Sequence, residues 1–332
     1  MLSSGVLKRV AILCGFAGGS LAVCLALFGT GKLTVSSSAE ATAAASGPNL
    51  TALPLGDGHT TTTTPRQGYL YECRQMAGGG GAQTNGPWIH GSTYNLTQKY
   101  VVDGSVGWPN AGFKKKIKGK LVKLSGNGLP KNHTTGVFPI QPSDDAYQVD
   151  RNPNRISSYT LAANLPKKPK YHAAPSCVGG QVGVMNNGVE LFSAVDAQDQ
   201  DAVAHEVQDS CDGHPQQAGV YRYHGLPACI DSGNANQQSK QIGWALDGFP
   251  IYGPRGKGGT YLSNANLDEC HGIVSKVSYL GKKQKIFHYV ANYEFPYTVG
   301  CYHGTAISGS GGGGGAGGAP AGAPPGGGPP AP

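Results

Sequence analysis

Short apolar stretches recur along the chain, and most of them end at Gly, Pro or Asn. In several of them apolar and polar residues alternate, which is the period-two pattern of half-buried strands. Examples of these short stretches are residues 100–102, 121–124, 182–185, 274–279 and 285–291. Frequent short strands separated by turn residues are typical of a β-sandwich or barrel. The pattern predicts a mainly β, sandwich-like single domain of short strands with long loops and one short helix.

Two local signals refine this prediction. Asn186, Asn187 and Gly188 lie between apolar pieces and predict a tight turn, because Asn and Gly tolerate positive φ. Residues 199–209 place Val203 and Val207 four positions apart, which predicts the helix. No internal repeat of fixed period is visible in the sequence.

Composition agrees with a turn-rich β-protein. The 332 residues include 53 Gly and 23 Pro, and only 14% are charged, against about a quarter in an average domain. These values exclude a coiled coil and a disordered chain driven by charge, and they argue against a helix-rich enzyme. A hydrophobic content of 39% is enough for a real core.

The N-terminus has the pattern of an export signal. Lys8 and Arg9 precede an uncharged apolar run over residues 10–29, and small residues follow it. A basic start, an apolar run and an Ala-rich end describe a secretory signal, while the length of the run is also enough to span a bilayer. Residues 1–43 are therefore interpreted as a cleaved signal peptide or an uncleaved N-terminal anchor, and both place the domain outside the cytoplasm.

Composition also divides the remainder of the chain. Residues 44–68 are rich in Ala, Ser and Thr, which predicts a linker that is disordered or extended. Residues 307–332 are rich in Gly and Pro and predict a disordered tail. The folded, β-rich domain is then expected over residues 69–306.

The cysteines support an exported protein. Beyond the apolar run there are six, an even number that indicates disulfides in an oxidising compartment. Neighbourhood in the sequence favours the pairs Cys73–Cys177, Cys211–Cys229 and Cys270–Cys301. A cysteine metal site is not indicated, because no Cys-x-x-Cys motif occurs.

Histidines concentrate near the end of the predicted domain, among many acidic residues. Imidazole and carboxylate together suit Zn, Cu, Mn or Fe. The predicted metal ligands are His205, His214, His224, Asp247 and His288. The alternative is that each histidine is a hydrogen-bonded residue of the core or the surface.

Residues 221–224 read as a strand whose side chains alternate between two faces. Tyr221 and Tyr223 then share one face, while Arg222 and His224 share the other. These four positions predict a small polar site backed by aromatic residues, in which Arg222, Tyr221 and Tyr223 contact a ligand. Arg222 beside His224 would suit an anionic group, or Arg222 simply pairs with a nearby acid.

No motif identifies a reaction. There is no Gly-x-Ser-x-Gly elbow and no phosphate-binding loop, and His205-Glu206-Val207-Gln208-Asp209 lacks the second histidine of the zinc-protease motif. Three hypotheses follow: an extracytoplasmic binding module with a His/Asp-lined polar pocket, with or without a transition metal, a structural surface protein, and a metal-dependent hydrolase or oxidase with Glu206 as base.

The charge suggests partners. The chain carries a net charge of +7, with lysine clusters at residues 114–116, 167–168 and 282–283. An anionic surface polymer or a small ligand is the expected partner, unless the lysines merely protect strand edges. The compartment argues against nucleic acid, and membrane contact is expected only through an uncleaved N-terminal segment.

Several longer strings resemble a known family. Among them are SGNGLPKNHTTGVFP at residues 125–139, GVYRYHGLPACI at 219–230, IGWALDGFPIYGP at 242–254 and FHYVANYEFPYTVGCYHG at 287–304. In this order they are similar to the YHYH-domain proteins, an exported group without an established reaction. The naming motif Tyr-His-Tyr-His stands here as Tyr-Arg-Tyr-His, with Arg222 at the second position. Because Arg cannot ligate a cation, any family metal site is expected to bind more weakly here, to use other ligands or to be lost.

Overall fold

The structure is a computed structural model that describes residues 47–309. The predicted signal or anchor over residues 1–43 and most of the predicted tail lie outside this range. The strands are β1 (Leu53–Pro54), β2 (Thr60–Thr61), β3 (Leu70–Tyr71), β4 (Ile89–His90), β5 (Thr93–Tyr94), β6 (Phe113–Lys118), β7 (Leu121–Gly126), β8 (Leu161–Pro166), β9 (Gln181–Met185), β10 (Glu190–Phe192), β11 (Gly213–Pro215), β12 (Tyr221–Tyr223), β13 (Gln241–Ala245), β14 (Pro250–Tyr252), β15 (Gly272–Tyr279) and β16 (Lys282–Val290). The helix α1 is Ala202–His205, and short 3-10 helices form at Leu96–Gln98, Asp145–Gln148, Lys257–Gly259 and Asn264–Asn266.

An eight-stranded mixed sheet organises the domain. Its strand order is β11-β12-β10-β9-β13-β14-β16-β15. The pairs β10–β12 and β14–β16 are parallel, whereas every other pair in this sheet is antiparallel. Smaller sheets have the orders β6-β7-β8, β1-β5-β4 and β2-β3.

The two halves of the large sheet have the same topology. From the centre outwards each half holds an antiparallel hairpin, then a parallel strand, then an antiparallel outer strand. At the centre Val184 pairs with Trp244, and the flanking pairs Gly183–Ala245 and Met185–Gly243 exchange under a two-fold rotation. The sheet therefore has a pseudo-two-fold axis between β9 and β13.

Equivalent side chains repeat across this axis. The turn residue Asn187 donates to Tyr223 Oη at 2.8 Å, and its counterpart Asp247 accepts from Tyr289 Oη at 2.7 Å. The separation along the chain differs from strand to strand, as the pairs Gly183–Gly243 and Tyr223–Tyr289 show. This variable separation explains why the sequence shows no fixed period.

The small sheet β6-β7-β8 packs on the middle of the large one. Val122, Leu124 and Leu165 form a buried cluster with Val184 and Trp244 at the pseudo-two-fold axis. The prediction of a mainly β domain with disulfides and one short helix is therefore confirmed, and the layered packing is sandwich-like.

The chain before residue 69 contributes to the fold, in contrast to the linker expected over residues 44–68. Strand β1 pairs with β5, and Leu53 is fully buried beside Trp88 and Tyr94. The composition of the segment is polar overall, but Leu53 supplies a buried apolar anchor, and Leu50 and Leu55 pack against the same cluster. At the other end Ile307 still packs on the core, donating to Leu246 O.

The helix is shorter than the predicted range of residues 199–209. It begins after Asp201 and ends at His205, with extended φ/ψ at Glu206. Asp201 caps it by accepting from the amides of Val203 and Ala204. Beyond the helix the Val207 amide donates to Asp150 Oδ2 at 2.9 Å instead of to a helical carbonyl, and the Asp209 side chain accepts from Tyr221 Oη at 2.8 Å.

The three disulfides join Cys73–Cys177, Cys211–Cys229 and Cys270–Cys301, as neighbourhood in the sequence favoured. Such a set is typical of proteins that fold in an oxidising, extracytoplasmic environment. No helix within residues 47–309 has the length and apolar character needed to cross a bilayer.

Glu72, just after β3, makes the stability of the domain depend on pH. Burial, and then the neighbouring Asp199 carboxylate, raise the pKa of Glu72 to about 9. The pKa of Glu72 is higher in the folded protein than in the unfolded chain, so folding favours the protonated carboxyl. The contribution of Glu72 to the stability is therefore complete below about pH 4.5 and is lost as the pH rises towards 9. We expect Glu72→Gln to increase the free energy of unfolding at pH 8 by about 2–4 kcal/mol, as measured by denaturant titration.

The control for this prediction is Asp145→Asn at an exposed position, which should leave the pH profile of stability unchanged. Parallel pH profiles for the wild type and Glu72→Gln would contradict the prediction.

Candidate metal centre

One face of the hairpin β11–β12 carries two histidines and an arginine. His214 on β11 is the register partner of Arg222 on β12, and His224 follows two residues later, so all three side chains share that face. Tyr221 and Tyr223 point the other way and are fully buried in the main core. The predicted alternation along residues 221–224 is therefore present.

Glu206 completes the cluster from the end of α1. The backbone leaves the helix at this residue, and the side chain turns towards the hairpin instead of continuing along the helix surface. Its Oε2 lies 3.5 Å from His214 Nε2 and 3.6 Å from His224 Nε2. All three side chains are buried, and each offers a ligand atom within 4.8 Å of the others.

Two of these facing atoms, on His224 and Glu206, have no hydrogen-bond partner in the described part of the chain. His224 Nδ1 donates to Ser193 O at 2.5 Å, so Nε2 carries the lone pair that faces Glu206. Among the described residues, neither His224 Nε2 nor Glu206 Oε2 has a hydrogen-bond partner. Buried polar atoms are rarely left in this condition, so this position requires a proton or a cation.

Arg222 closes one side of the cluster. Its Nε donates to His214 Nε2 at 3.4 Å, and one terminal nitrogen lies 3.9 Å from Glu206 Oε1. The guanidinium also stacks on Phe192 and donates to Gln216 at 3.0 Å. Arg222 thus contacts both an imidazole and the carboxylate of the cluster.

Burial sets the protonation states. Burial, followed by the charge of Arg222, holds the pKa values of His214 and His224 well below their ordinary value. Burial raises the pKa of Glu206 to about 8, against the lowering effect of Arg222. At neutral pH the imidazoles are therefore neutral, the form that ligates metals, and in the absence of a cation Glu206 keeps its proton.

The cluster fits a divalent transition metal. With bonds of about 2.0–2.2 Å to N and O, tetrahedral ligand atoms lie about 3.3–3.6 Å apart, close to the separations of 3.5 and 3.6 Å between Glu206 and the two histidines. The His224–Ser193 hydrogen bond is the kind of contact that orients a ligating imidazole. A cavity of about 20 Å³ adjoins His224, between Tyr94, Gln208 and Asp212, with room for one water-sized group.

The other predicted ligands lie elsewhere. His205 Nε2 donates to Asp57 at 2.9 Å. Burial lowers the pKa of His205, but the hydrogen bond to Asp57 outweighs burial, and the pKa is raised above its ordinary value. Asp247 accepts from Tyr289 and the Gly304 amide. His288 packs edge-on against Tyr252. Of the five predicted ligands, the structure brings together only His214 and His224.

The tyrosines predicted to contact a ligand bind protein groups instead. Tyr221 donates to Asp209, and Tyr223 contacts Asn187 and His133. Only Arg222 of the predicted ligand-contacting residues lies at the cluster.

Glu206 is absent from the ligand set that the sequence predicts and stands there only as a candidate base. Its one signal in the sequence is its place in His205-Glu206-Val207-Gln208-Asp209, and the helical spacing of the zinc-protease motif assigns the ligand positions to His205 and Asp209 instead. Because the helix ends at His205, that spacing does not apply, and the ligand geometry comes from the turn.

A second group holds His303 with Asp268 and Glu269. His303 Nε2 lies 3.3 Å from Asp268 Oδ2, and both acids are partly exposed. Burial lowers the pKa of His303, but the hydrogen bond to Asp268 outweighs burial, and the pKa is raised above its ordinary value. These are the properties of an ion pair.

The fold and the cluster define a disulfide-bonded β-domain with a buried two-histidine, one-carboxylate centre. Residues 162–261 match the family described as YHYH protein, which confirms the resemblance over this part of the chain. The matched range includes Glu206, His214 and His224. Searches of curated proteins and of solved structures found no match.

Proposed function

We propose that this protein is an extracytoplasmic metal-binding module that holds one divalent transition ion between Glu206, His214 and His224. One observation carries the proposal: two imidazole nitrogens and a carboxylate oxygen converge in the protein interior, and two of these atoms lack a hydrogen-bond partner. Two histidines with one carboxylate are a ligand set that Zn²⁺ and non-haem Fe²⁺ use in proteins.

The burial of the three ligands favours retention of the ion over turnover. A metal-dependent hydrolase needs a substrate-accessible coordination position, whereas Glu206, His214 and His224 are 5%, 0% and 2% exposed. The export pattern at the N-terminus and the disulfides agree with secretion or anchoring at the membrane surface, where a retained ion would stabilise the fold or serve a partner.

Elemental analysis of the full chain, purified oxidised and without a histidine tag, tests the proposal. We expect about one Zn or Fe per chain, and its loss in Glu206→Gln and in His224→Ala. Metal binding should also raise the thermal unfolding midpoint of the wild type, because a ligand specific to the folded state stabilises it by mass action.

His288→Ala is the matched control, since His288 is equally buried, at 2% exposure, and belongs to the other half of the sheet. This variant should keep its metal. A wild type that stays metal-free after incubation with Zn²⁺, Fe²⁺, Cu²⁺ and Mn²⁺ would overturn the proposal and leave a protonated Glu206 as the partner of the histidines.

A further inference from the structure

Half of the basic residues of the chain lie in three segments that the fold brings together around one cleft. Residues 113–126, 161–172 and 272–291 contain thirteen lysines and no acidic residue, out of 26 basic and 19 acidic residues in the chain. The remaining 13 basic and 19 acidic residues leave the rest with a net charge of −6. The charge is therefore strongly polarised.

A concave surface lies within this region. A cleft of about 630 Å³ separates the small sheet from the β15–β16 hairpin. Lys167, Lys168 and Lys282 line it, and Ile117, Phe249 and Ile286 supply apolar surface between them. Clefts of this volume are typical of ligand sites, and the lining residues carry no negative charge.

The walls of the cleft are fixed to each other. Tyr279 Oη on β15 donates to Lys167 O at 3.3 Å, and the Lys167 amide donates to Lys120 O at 2.8 Å. The turn at Gly248 abuts Pro166 so closely that a Cβ there would lie 2.6 Å from the proline ring. The cleft is thus formed before any ligand arrives.

The lysines around the cleft repel one another and so lower the stability of the protein without a ligand. Lys116 is the register partner of Lys123, and Lys276 is the register partner of Lys285. Like charges directly opposite each other on paired strands are destabilising. None of these four lysines lies within ion-pair distance of a carboxylate in the described chain, where Lys240 and Asp231 form the lysine salt bridge.

We propose that the cleft binds a linear polyanionic polysaccharide. Its repeating sulfates or carboxylates would lie along Lys167, Lys168 and Lys282 and continue over the flanking strands, which relieves the repulsion between paired lysines. The lysines extend beyond the cleft, which favours a chain over a small anion. The surface is concave, which favours a chain over a flat anionic membrane. The disulfides place the domain outside the cytoplasm, where nucleic acid is not the common polyanion.

Binding of the full chain to dextran sulfate, polygalacturonate and neutral dextran tests this inference, with the first two probes separating a sulfated from a carboxylated ligand. We expect binding to at least one charged chain and none to neutral dextran. The triple variant Lys167→Gln, Lys168→Gln, Lys282→Gln should weaken that binding about a hundredfold at low salt, from about a factor of five for each lysine facing an anionic surface. Its dependence on salt should also become shallower.

The matched control removes three exposed lysines outside the region, Lys131→Gln, Lys240→Gln and Lys257→Gln, and has the same net charge. It should retain binding. Equal losses in both triple variants, absence of binding to both charged chains, or tighter binding to anionic phospholipid vesicles or duplex DNA would each overturn the proposal. Metal content should be unchanged in the lysine variants, which separates this result from the metal proposal.

Discussion

Arg222→His is expected to strengthen metal binding by about tenfold to a hundredfold, or about 1.4–2.7 kcal/mol. Arg222 donates to His214 Nε2 at 3.4 Å, so a cation must compete with it for that lone pair. Two unit charges about 4 Å apart interact by about 4 kcal/mol at a surface-like effective dielectric constant, and the guanidinium therefore repels the ion. A histidine at this position would remove the charge and add an imidazole on the same face of β12.

The companion variant Arg222→Gln removes the charge without adding a ligand, so it should show only part of the gain. Competition with a chromophoric chelator measures both affinities. Weaker binding in both variants would contradict the expectation and would identify Arg222 as the residue that positions Glu206 through its contact at 3.9 Å.

Loss of the Cys73–Cys177 bridge is expected to lower the free energy of unfolding by about 4–5 kcal/mol. The bridge closes a loop with a sequence separation of 104, and the loss of entropy in the unfolded chain grows with loop length. Cys73 is exposed and Cys177 only half-buried, so replacing both by Ala creates little cavity. Denaturant unfolding of the double variant measures the effect directly.

The Cys211–Cys229 bridge provides the comparison, because its sequence separation is only 18. Its removal is expected to cost about 3 kcal/mol through the same mechanism, to which burial of Cys211 adds a packing loss. A loss below about 3 kcal/mol at Cys73–Cys177, where removal creates little cavity, would contradict the loop-length explanation.

Local patterns in the sequence predicted much of the fold. The alternation along residues 221–224 gave the correct faces for Arg222 and His224, since side chains must alternate wherever a strand forms. Short-range closure is entropically favourable and accounts for Cys211–Cys229 and Cys270–Cys301, with sequence separations of 18 and 31. Cys73–Cys177, with a separation of 104, is the pair that these two bridges leave. By contrast, the order of strands in the large sheet depends on pairings between distant segments, and the sequence pattern carries no direct signal for them.

The candidate site shows the same division. His214 and His224 could be selected because their residue type and the hairpin pattern are local. Glu206 could not be separated from the many other acids, because its position depends on where α1 ends. In the sequence His205 and His288 are equivalent to His214 and His224. In the folded protein, however, His205 binds Asp57 and His288 packs against Tyr252.

The pseudo-two-fold sheet is the arrangement that duplication and fusion of one four-stranded unit would produce. The outer hairpins β11–β12 and β15–β16 then occupy equivalent places in the two units, but they carry different side chains. In the second, Ile273 stands in the register place of His214 and His288 in that of Arg222, so the pairing of His214 with His224 is not repeated there. The second hairpin is longer and lines the lysine cleft instead. One repeated scaffold thus supports two chemically different environments, a buried His–Glu cluster at the first hairpin and an exposed lysine-lined cleft at the second.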